Sequence, residues 1–263
     1  MTVATLKINL NSIKRNWQAL DRLSSENTKT AAVVKANAYG LGVNYIAPSL
    51  WEAGARTFFV STAEEGIELR SLIPKSAQIF CLNGYKINDD KIFKHYNIIP
   101  IINSNEQLKN FLSLNKAEPI GLHVDTGMNR LGFDYNQCEL VFSLLRENPE
   151  VPLKGIYSHF ATADEQDLKY AYSQLNTFKE IVAIAKDNHI NFKYIHCSNS
   201  GSILNMDNSI FNMVRVGMLL YGALPSNEVP KNIKLKPVMS YCGSIVNIRR
   251  VPKNTNISYG GVY

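Results

Sequence analysis

The chain has 263 residues, of which 45% are hydrophobic and 19% are charged, with a formal net charge of +6. A chain of this length can bury a substantial core, as one barrel-sized domain or as two smaller domains. No apolar run approaches the roughly 20 residues that a membrane-spanning helix needs. The lysines and arginines are dispersed along the sequence, which is typical of solvated surfaces and argues against a nucleic-acid-binding protein.

The N-terminal sequence and the cysteines indicate the cellular compartment. Residues 1–16 contain no apolar h-region, so we expect no secretory signal and a cytoplasmic location. The cysteines are far apart and form no CxxC pair, so we expect them to be reduced and partly buried, with no metal site. They are Cys81, Cys138, Cys197 and Cys242.

Short β-branched or aromatic runs alternate with segments of helical period along most of the chain. A first apolar run at residues 7–10 leads into a helix with an apolar face. The candidate strands that follow are residues 31–35, 57–60, 78–82, 98–102, 120–124, 153–158, 193–196 and 212–216. The candidate helices between them include residues 45–53, 63–72, 105–114, 137–148, 166–188 and 200–205.

This alternation predicts parallel strands with right-handed crossovers. Eight such units predict an α/β fold, a (β/α)8 TIM-type barrel over residues 11–224. An open doubly wound sheet is the competing architecture, although no GxGxxG follows the first strand. Residues 238–250 and 255–263 predict strands of a β-rich C-terminal domain. Residues 1–10 and 225–263 are therefore predicted to form a β-domain. We expect this domain to be incomplete, because a sheet of two or three strands has only marginal stability on its own.

In a (β/α)8 barrel, reactive side chains gather at the carboxyl ends of the strands. Lys35 closes the first predicted barrel strand, which is otherwise apolar. Burying an ammonium group is costly, and the usual solutions are a lowered pKa, an acidic partner or a covalent imine. Alternatively, the strand ends one residue earlier and Lys35 extends its charge to solvent. This strand alone does not distinguish the two interpretations.

Polar residues also follow later strands. Arg130 lies in a segment bordered by glycines, where it would point over the barrel mouth or pair with Asp125 at the surface. His159 ends the sixth strand, although a lone histidine is more often structural. Residues 196–201 and Gly217 form small-residue turns after strands seven and eight. Each turn alone is explained by helix capping, but together they match the phosphate site of such barrels.

The predicted barrel mouth thus contains a lysine able to form an imine, a phosphate cradle, a histidine and two arginines. A phosphate-bearing aldehyde cofactor would satisfy all of these groups, and pyridoxal 5'-phosphate is the obvious candidate.

The sequence resembles the alanine racemase family in several segments. Residues 33–42 (VVKANAYGLG) are similar to the pyridoxal-lysine signature of that family. The other matching segments occur in the family's order and cover essentially the whole chain. They are residues 123–132 (HVDTGMNRLG), 157–165 (YSHFATADE), 199–200 (NS), 215–222 (RVGMLLYG) and 258–260 (SYG).

The resemblance implies a role for each matching site residue. Lys35 would carry the pyridoxal-phosphate aldimine and act as one catalytic base, and Tyr259 would be the second base, acting on the cofactor of a neighbouring subunit in a homodimer. The remaining implied residues all bind cofactor. They are Tyr39, Ser200, Gly217 and Met218 at the phosphate, Asn199 beside them, Arg130 at the phenolic oxygen and substrate, Arg215 at the pyridine nitrogen and His159 beside the ring.

The implied reaction is the interconversion of L-alanine and D-alanine by an isomerase that supplies D-alanine for peptidoglycan. A racemase needs a base on each face of the α-carbon. Arg215 would donate a hydrogen bond without protonating the pyridine nitrogen, which disfavours transamination. The pKa of Tyr259 would have to lie below its ordinary value near 10. The alternatives are a related enzyme acting on another amino acid and a non-catalytic cofactor-binding protein, against which the SYG segment argues.

Two departures from the family pattern stand out. Many members have a carbamylated lysine where this chain has His123, and that group positions the arginine at 130. Here His123 or Asp125 would have to orient Arg130. The family's C-terminal β-domain also continues beyond the position of Tyr263, so the resemblance implies that residues gating the substrate lie outside this sequence.

Overall fold

The apolar runs of the sequence form a series of strands in the computed structural model, which describes residues 4–114, 117–208, 210–230 and 233–261. Four of these strands, Thr57–Val60, Ile98–Ile102, Ile120–His123 and Met213–Val216, are buried along their whole length, as in parallel sheets covered on both faces. In chain order the strands are β1 Ala4–Ile8, β2 Lys29–Val33, β3 Thr57–Val60, β4 Gln78–Cys81, β5 Ile98–Ile102, β6 Ile120–His123, β7 Leu153–Tyr157, β8 Tyr194–His196, β9 Met213–Val216 and β10 Met239–Gly243.

Helices connect these strands, and most present an apolar stripe to the sheet. In chain order they are α1 Leu10–Asp21, α2 Lys35–Tyr39, α3 Val43–Ala53, α4 Ala63–Leu72, α5 Asp90–Tyr96, α6 Asn105–Leu114, α7 Cys138–Arg146, α8 Lys169–Asp187 and α9 Ser200–Asn205. In the described part of the chain, no helix combines the length and hydropathy needed to cross a membrane.

Strands β2 to β9 form an eight-stranded parallel sheet in the order β8-β7-β6-β5-β4-β3-β2-β9. The two end strands approach one another through hydrogen bonds of their flanking residues. The Ile195 N–H donates to Asn212 Oδ1 at 2.8 Å, and the Arg215 N–H donates to the Ser198 carbonyl at 3.2 Å. The sheet is therefore a nearly closed barrel, which confirms the predicted (β/α)8 architecture.

Large side chains fill the interior of the barrel. The rings of Phe59 and Phe80 stack with their centroids 4.9 Å apart, and Ile99, Ile101 and Tyr157 belong to the same buried cluster. These side chains come from alternate positions of neighbouring strands, as expected of a TIM-type core. The core closes the barrel below its carboxyl end and leaves that end open for a site.

The barrel belongs to a compact unit, Asn9–Val238, that includes the proline-rich segment after residue 224. Asn16 holds this segment against α1: its amide nitrogen donates to the Lys236 carbonyl at 2.9 Å, and its oxygen accepts from the Lys236 N–H at 2.7 Å. The predicted domain boundary at residue 224 thus lies inside the unit.

The described residues before Asn9 and after Val238 form a separate unit. There β1 pairs with β10 in antiparallel register, with Ala4 opposite Gly243. The predicted strand at residues 238–250 is regular only over Met239–Gly243. The predicted strand at residues 255–263 was wrong over its described part, because Ser258 and Gly260 have φ of 57° and 79° and Tyr259–Gly261 form a 3-10 turn. Residues 262–263 lie outside the described residues.

Candidate active site

A cavity of about 500 Å³ lies within the barrel unit, lined by residues from the carboxyl ends of the strands. Every cofactor-binding residue predicted from the sequence lines this one cavity. They are Lys35, Tyr39, Arg130, His159, Asn199, Ser200, Arg215, Gly217 and Met218. The structure therefore brings together, in one space, side chains that are as much as 183 positions apart (218 minus 35) in the sequence.

Lys35 opens the short element α2, which is a left-handed turn and not a regular α-helix, rather than closing a strand. Strand β2 ends at Val33, and each residue from Ala36 to Tyr39 has a positive φ, between 52° and 57°. The turn is therefore left-handed, a conformation that costs about 1–2 kcal/mol per L-residue. Asn37 stabilises its end, because its Oδ1 accepts from the Val43 N–H at 2.7 Å. The prediction that the strand continues to Lys35 was wrong, because this turn interrupts it.

The Lys35 amine is half-buried in the cavity wall. Burial lowers its pKa, and the charges of Arg130 and Arg215 lower it further, whereas the Glu65 carboxylate raises it. A lower pKa increases the fraction of neutral amine, which is the form that attacks a carbonyl and that accepts a proton. The position of Lys35 thus favours the interpretation as a reactive lysine over that of a solvated surface residue.

Arg215 is buried at the base of the cavity among neutral acceptors. Its Nη2 donates to the Ser158 carbonyl and to His159 Nδ1, both at 2.9 Å, and its Nη1 donates to His196 Nδ1. A guanidinium can only donate, so both imidazoles accept through Nδ1 and carry their proton on Nε2. Burial, followed by the charge of Arg215, holds the pKa of both histidines well below the ordinary value.

The guanidinium itself remains charged near neutral pH. Burial lowers the pKa of Arg215 to about 10. The ring of Tyr157 lies 4.7 Å from the guanidinium carbon and offers a cation–π contact. Arg215 can therefore present a permanent hydrogen-bond donor to a ligand in the cavity.

His196 is a member of this cluster that the sequence analysis did not single out. It is the last residue of β8 and is fully buried, with its ring stacked on Tyr157 at a centroid distance of 5.4 Å. The rule that strand ends carry the chemistry of a barrel would have found it, as it found His159 at the end of the sixth predicted strand.

The opposite side of the cavity has the features of a phosphate cradle. The Ser200 hydroxyl accepts from the Gly217 N–H at 3.3 Å, and Asn199 caps α9 by accepting from the Gly201 and Ser202 N–H groups. A Cβ atom added to Gly217 would lie 2.5 Å from the Tyr39 hydroxyl oxygen. Glycine therefore lets the Tyr39 hydroxyl lie against the backbone of this segment.

Tyr39 completes this side of the cavity. Its ring lies 4.8 Å from that of Tyr221, whose hydroxyl donates to the Val33 carbonyl at 3.0 Å. Burial raises the pKa of Tyr39, so the phenol keeps its proton and can donate to an anion. Hydroxyl donors, a close-packed glycine, a reactive amine and a fixed cationic donor fit a phosphate-bearing aldehyde such as pyridoxal phosphate.

Arg130 lies on an exposed loop whose shape depends on Gly127 and Gly132, with φ of 131° and 109°. Asp125 holds the backbone of this loop, because its Oδ1 accepts from the Gly127 and Met128 N–H groups at 2.8 and 2.9 Å. The glycines thus allow the turn that the sequence predicted, and Arg130 lines the cavity.

His123 is buried beside the cavity and is neutral. Its Nδ1 lies 2.8 Å from Asn103 Oδ1, and the Asn103 amide nitrogen donates to the carbonyls of Leu82 and Ile101. Because that nitrogen is already engaged, the Asn103 oxygen accepts and His123 carries its proton on Nδ1. Burial, then the charges of Arg215 and Arg130, lower the pKa of His123 to about 3.

Tyr259 lies in the other unit, in the 3-10 turn Tyr259–Gly261, and its side chain is fully exposed. Its assignment as the second base stays a prediction.

Comparisons with known proteins agree on one family. Residues 8–225 match the model described as "Alanine racemase, N-terminal domain". Alanine racemase 2 of Caldanaerobacter subterraneus subsp. tengcongensis is 34% identical over 98% of this chain and 68% of its own length. The alanine racemase of Clostridium novyi is 36% identical over 97% of this chain and 67% of its own length.

Solved structures give the same result. The biosynthetic alanine racemase of Pseudomonas aeruginosa matches all of this chain and 72% of its own with a TM-score of 0.89 at 29% identity. The alanine racemase of Bartonella henselae, solved with covalently bound pyridoxal phosphate, matches all of this chain and 72% of its own with a TM-score of 0.85 at 31% identity.

Proposed function

The chain belongs to the alanine racemase family, and we propose that Lys35 and Tyr259 are the two bases with which it interconverts L-alanine and D-alanine. The observation that carries this proposal is the single cavity in which the half-buried Lys35 amine, the Arg215 cluster and the Ser200–Gly217 cradle meet. Alanine racemases are isomerases that depend on pyridoxal phosphate, and this cavity fits that cofactor.

Each wall of the cavity suits a different part of the cofactor. Lys35 would hold it covalently, as the Bartonella henselae structure holds its own pyridoxal phosphate. Ser200, Gly217, Met218 and Tyr39 would bind the phosphate. Arg215 would donate to the pyridine nitrogen, with His159 beside the ring and Arg130 at the phenolic oxygen and the substrate carboxylate. When bound, the cofactor withdraws electrons from the α-carbon of the amino acid and makes its proton acidic.

The residues of the chain then move and retain protons. The Lys35 amine, whose pKa is lowered, would accept the α-proton from one face of one enantiomer, while Tyr259 would deliver a proton to the opposite face, and the two groups would exchange roles for the other enantiomer. Arg215 keeps its own proton, because its pKa of about 10 lies above neutral pH and its imidazole partners already accept from it. It therefore donates a hydrogen bond without transferring the proton to the ring.

The second proton site is assigned to Tyr259 on the opposite face. We infer that this phenol serves the cavity of a partner subunit, so that the working form is a homodimer with shared active sites. We also infer that the enzyme works in the cytoplasm, where free alanine is available, and supplies D-alanine for peptidoglycan. The family membership and the SYG segment that contains Tyr259 support this assignment.

The test is D-alanine formation from L-alanine by the purified protein loaded with pyridoxal phosphate. Lys35→Ala should abolish both racemisation and the absorbance band of lysine-linked cofactor. Tyr259→Phe should keep the band and lose racemisation, because only the second base is removed. A Tyr259→Phe variant that racemises alanine at the original rate would contradict the two-base assignment. L-serine in a parallel assay tests the alternative that another amino acid is the substrate.

A further inference from the structure

Glu65 makes an arrangement of hydrogen bonds that joins two loops at the cavity. Its Oε1 accepts from the Ala36 N–H at 2.8 Å, and its Oε2 accepts from the Ser61 N–H at 2.7 Å. Ala36 belongs to the turn after β2, whereas Ser61 follows β3. One carboxylate therefore ties the left-handed turn to the neighbouring strand end. Bonds of this kind, from backbone N–H to a charged acceptor, are stronger than those between neutral groups.

The backbone of Glu65 is itself fixed. It lies in the first turn of α4, where its N–H donates to the Oγ1 of Thr62, the N-cap residue, at 3.3 Å. The carboxylate thus projects from a rigid helix start toward a turn whose positive φ angles L-residues rarely adopt. A turn of this kind persists only when its surroundings hold it.

The carboxylate also acts on the residue that the turn carries. Lys35 directly precedes Ala36 and is faced by Glu65 from α4, Arg130 from the loop after β6, Arg215 from β9 and the neutral His159 after β7. Glu65 is the negative member of this set and counteracts the effect of both arginines on the amine.

We propose that Glu65 is a positioning residue, which holds the left-handed turn through the Ala36 N–H and thereby directs the Lys35 side chain into the cavity. The inference deepens the proposed function, since it concerns the placement of the base Lys35. It assigns Glu65 no proton transfer and no contact with substrate.

The test uses the apoprotein, so that its outcome does not depend on racemase activity. The variants are Glu65→Gln, which keeps the shape and removes the charge, and Glu65→Ala, which removes both acceptors. Glu68→Gln and Glu68→Ala are the matched controls, because Glu68 is exposed on the same helix. The readouts are the pH dependence of Lys35 acylation, followed by mass spectrometry, and the hydrogen exchange of the Ala36 amide.

In Glu65→Gln the acylation midpoint of Lys35 should move to lower pH, because the charge that favours the ammonium form is lost. A role confined to the stability of α4 would leave that midpoint unchanged. In Glu65→Ala the Ala36 amide should exchange roughly tenfold faster, and covalent capture of pyridoxal phosphate should slow by a similar factor. The proposal is overturned if the Glu65→Gln midpoint equals that of Glu68→Gln, or if Ala36 exchange in Glu65→Ala equals that of Glu68→Ala.

Discussion

Two turns border the cavity, and they are held in different ways. The left-handed turn after β2 depends on groups distant in sequence: Glu65 bonds to Ala36, and the Tyr221 side chain packs on Tyr39. The turn before α9 is held largely by its own residues, because Asn199 accepts from the Gly201 and Ser202 N–H groups while the Ser202 hydroxyl accepts from the Asn199 N–H. It also has distant contacts, since the Asn199 amide donates to the Phe160 carbonyl and the Gly217 N–H donates to the Ser200 hydroxyl. Lys35 is therefore carried by a segment that the folded barrel must impose, whereas Ser200 lies in a segment that its own residues largely favour.

Acid should destabilise the whole barrel, and with it both turns, because the histidines at the base of the cavity are uncharged in the folded state. Burial lowers the pKa of His123 to about 3 and holds those of His159 and His196 well below the ordinary value near 6.5. Below that value the unfolded chain binds more protons than the folded chain, so stability is lost as the pH falls. Each histidine contributes up to about 1.4 kcal/mol per pH unit.

Denaturant unfolding at pH 7 and pH 5, followed by tryptophan fluorescence, measures this loss. His123→Asn should weaken the pH dependence by about one proton, because the histidine held neutral by burial is removed. Equal pH dependence in His123→Asn and the parent protein would mean that His123 is not held neutral.

Gly217→Ala should create a steric clash between the cradle and the Tyr39 side chain of the left-handed turn. The new Cβ would lie 2.5 Å from the Tyr39 hydroxyl oxygen, so either the cradle or the Tyr39 side chain must shift. A displacement of about 1 Å at a reacting group can cost on the order of a hundredfold in rate. We expect a loss of that size in D-alanine formation per bound cofactor.

A double variant locates the conflict. Tyr39→Phe removes the oxygen in question, so its effect and that of Gly217→Ala should be less than additive. Strictly additive losses would show that the added methyl group acts elsewhere.

Asn199→Ala should weaken the turn before α9 and leave the left-handed turn in place. Loss of the N-cap acceptor costs about 1 kcal/mol in the free energy of unfolding. Lys35 acylation in the apoprotein should remain as in the parent protein, because the left-handed turn has other supports. Asn199→Asp, which keeps an acceptor, is the control, and a change in Lys35 reactivity in Asn199→Ala would mean that the two turns are not held independently.

Ala36→Gly tests the handedness of the other turn. Ala36 is exposed with φ of 52°, so glycine should relieve strain and stabilise the protein by about 0.5–1 kcal/mol. Ala183→Gly, at an exposed position of the right-handed helix α8, should instead destabilise it by about 1 kcal/mol. Thermal unfolding of both variants measures the contrast, and a loss of stability in Ala36→Gly would contradict the assigned backbone conformation.

The same contrast explains what the sequence could predict. Helices α4, α6 and α9 begin and end as predicted, and a capping side chain marks the start of each, at Thr62, Ser104 and Asn199. The left-handed turn escaped prediction, because Ala36, Asn37 and Ala38 have no individual preference for positive φ strong enough to reveal it. Its supports, Glu65 and Tyr221, become neighbours only in the folded barrel.

The candidate site shows the same difference between what local sequence reveals and what only the folded barrel creates. Residues at the ends of predicted strands, such as Arg215 and His159, could be placed at the barrel mouth because strand direction is set by the fold. Their mutual contacts could not, since no local pattern shows that two imidazoles accept from one guanidinium. The strand predicted around Tyr259 failed because positive φ at Ser258 and Gly260 overrides an extended pattern.

Arg215 places a positive charge at the base of the cavity. Two imidazoles and two carbonyls solvate the guanidinium as water would, but they do not neutralise it. In a protected cleft the field of such a cation is screened less than at the surface and extends into the cavity. Together with Arg130 at the rim, it would attract the phosphate of a cofactor and the carboxylate of an amino acid before either makes contact. Under the proposed function, the two arginines would thereby concentrate anions near Lys35.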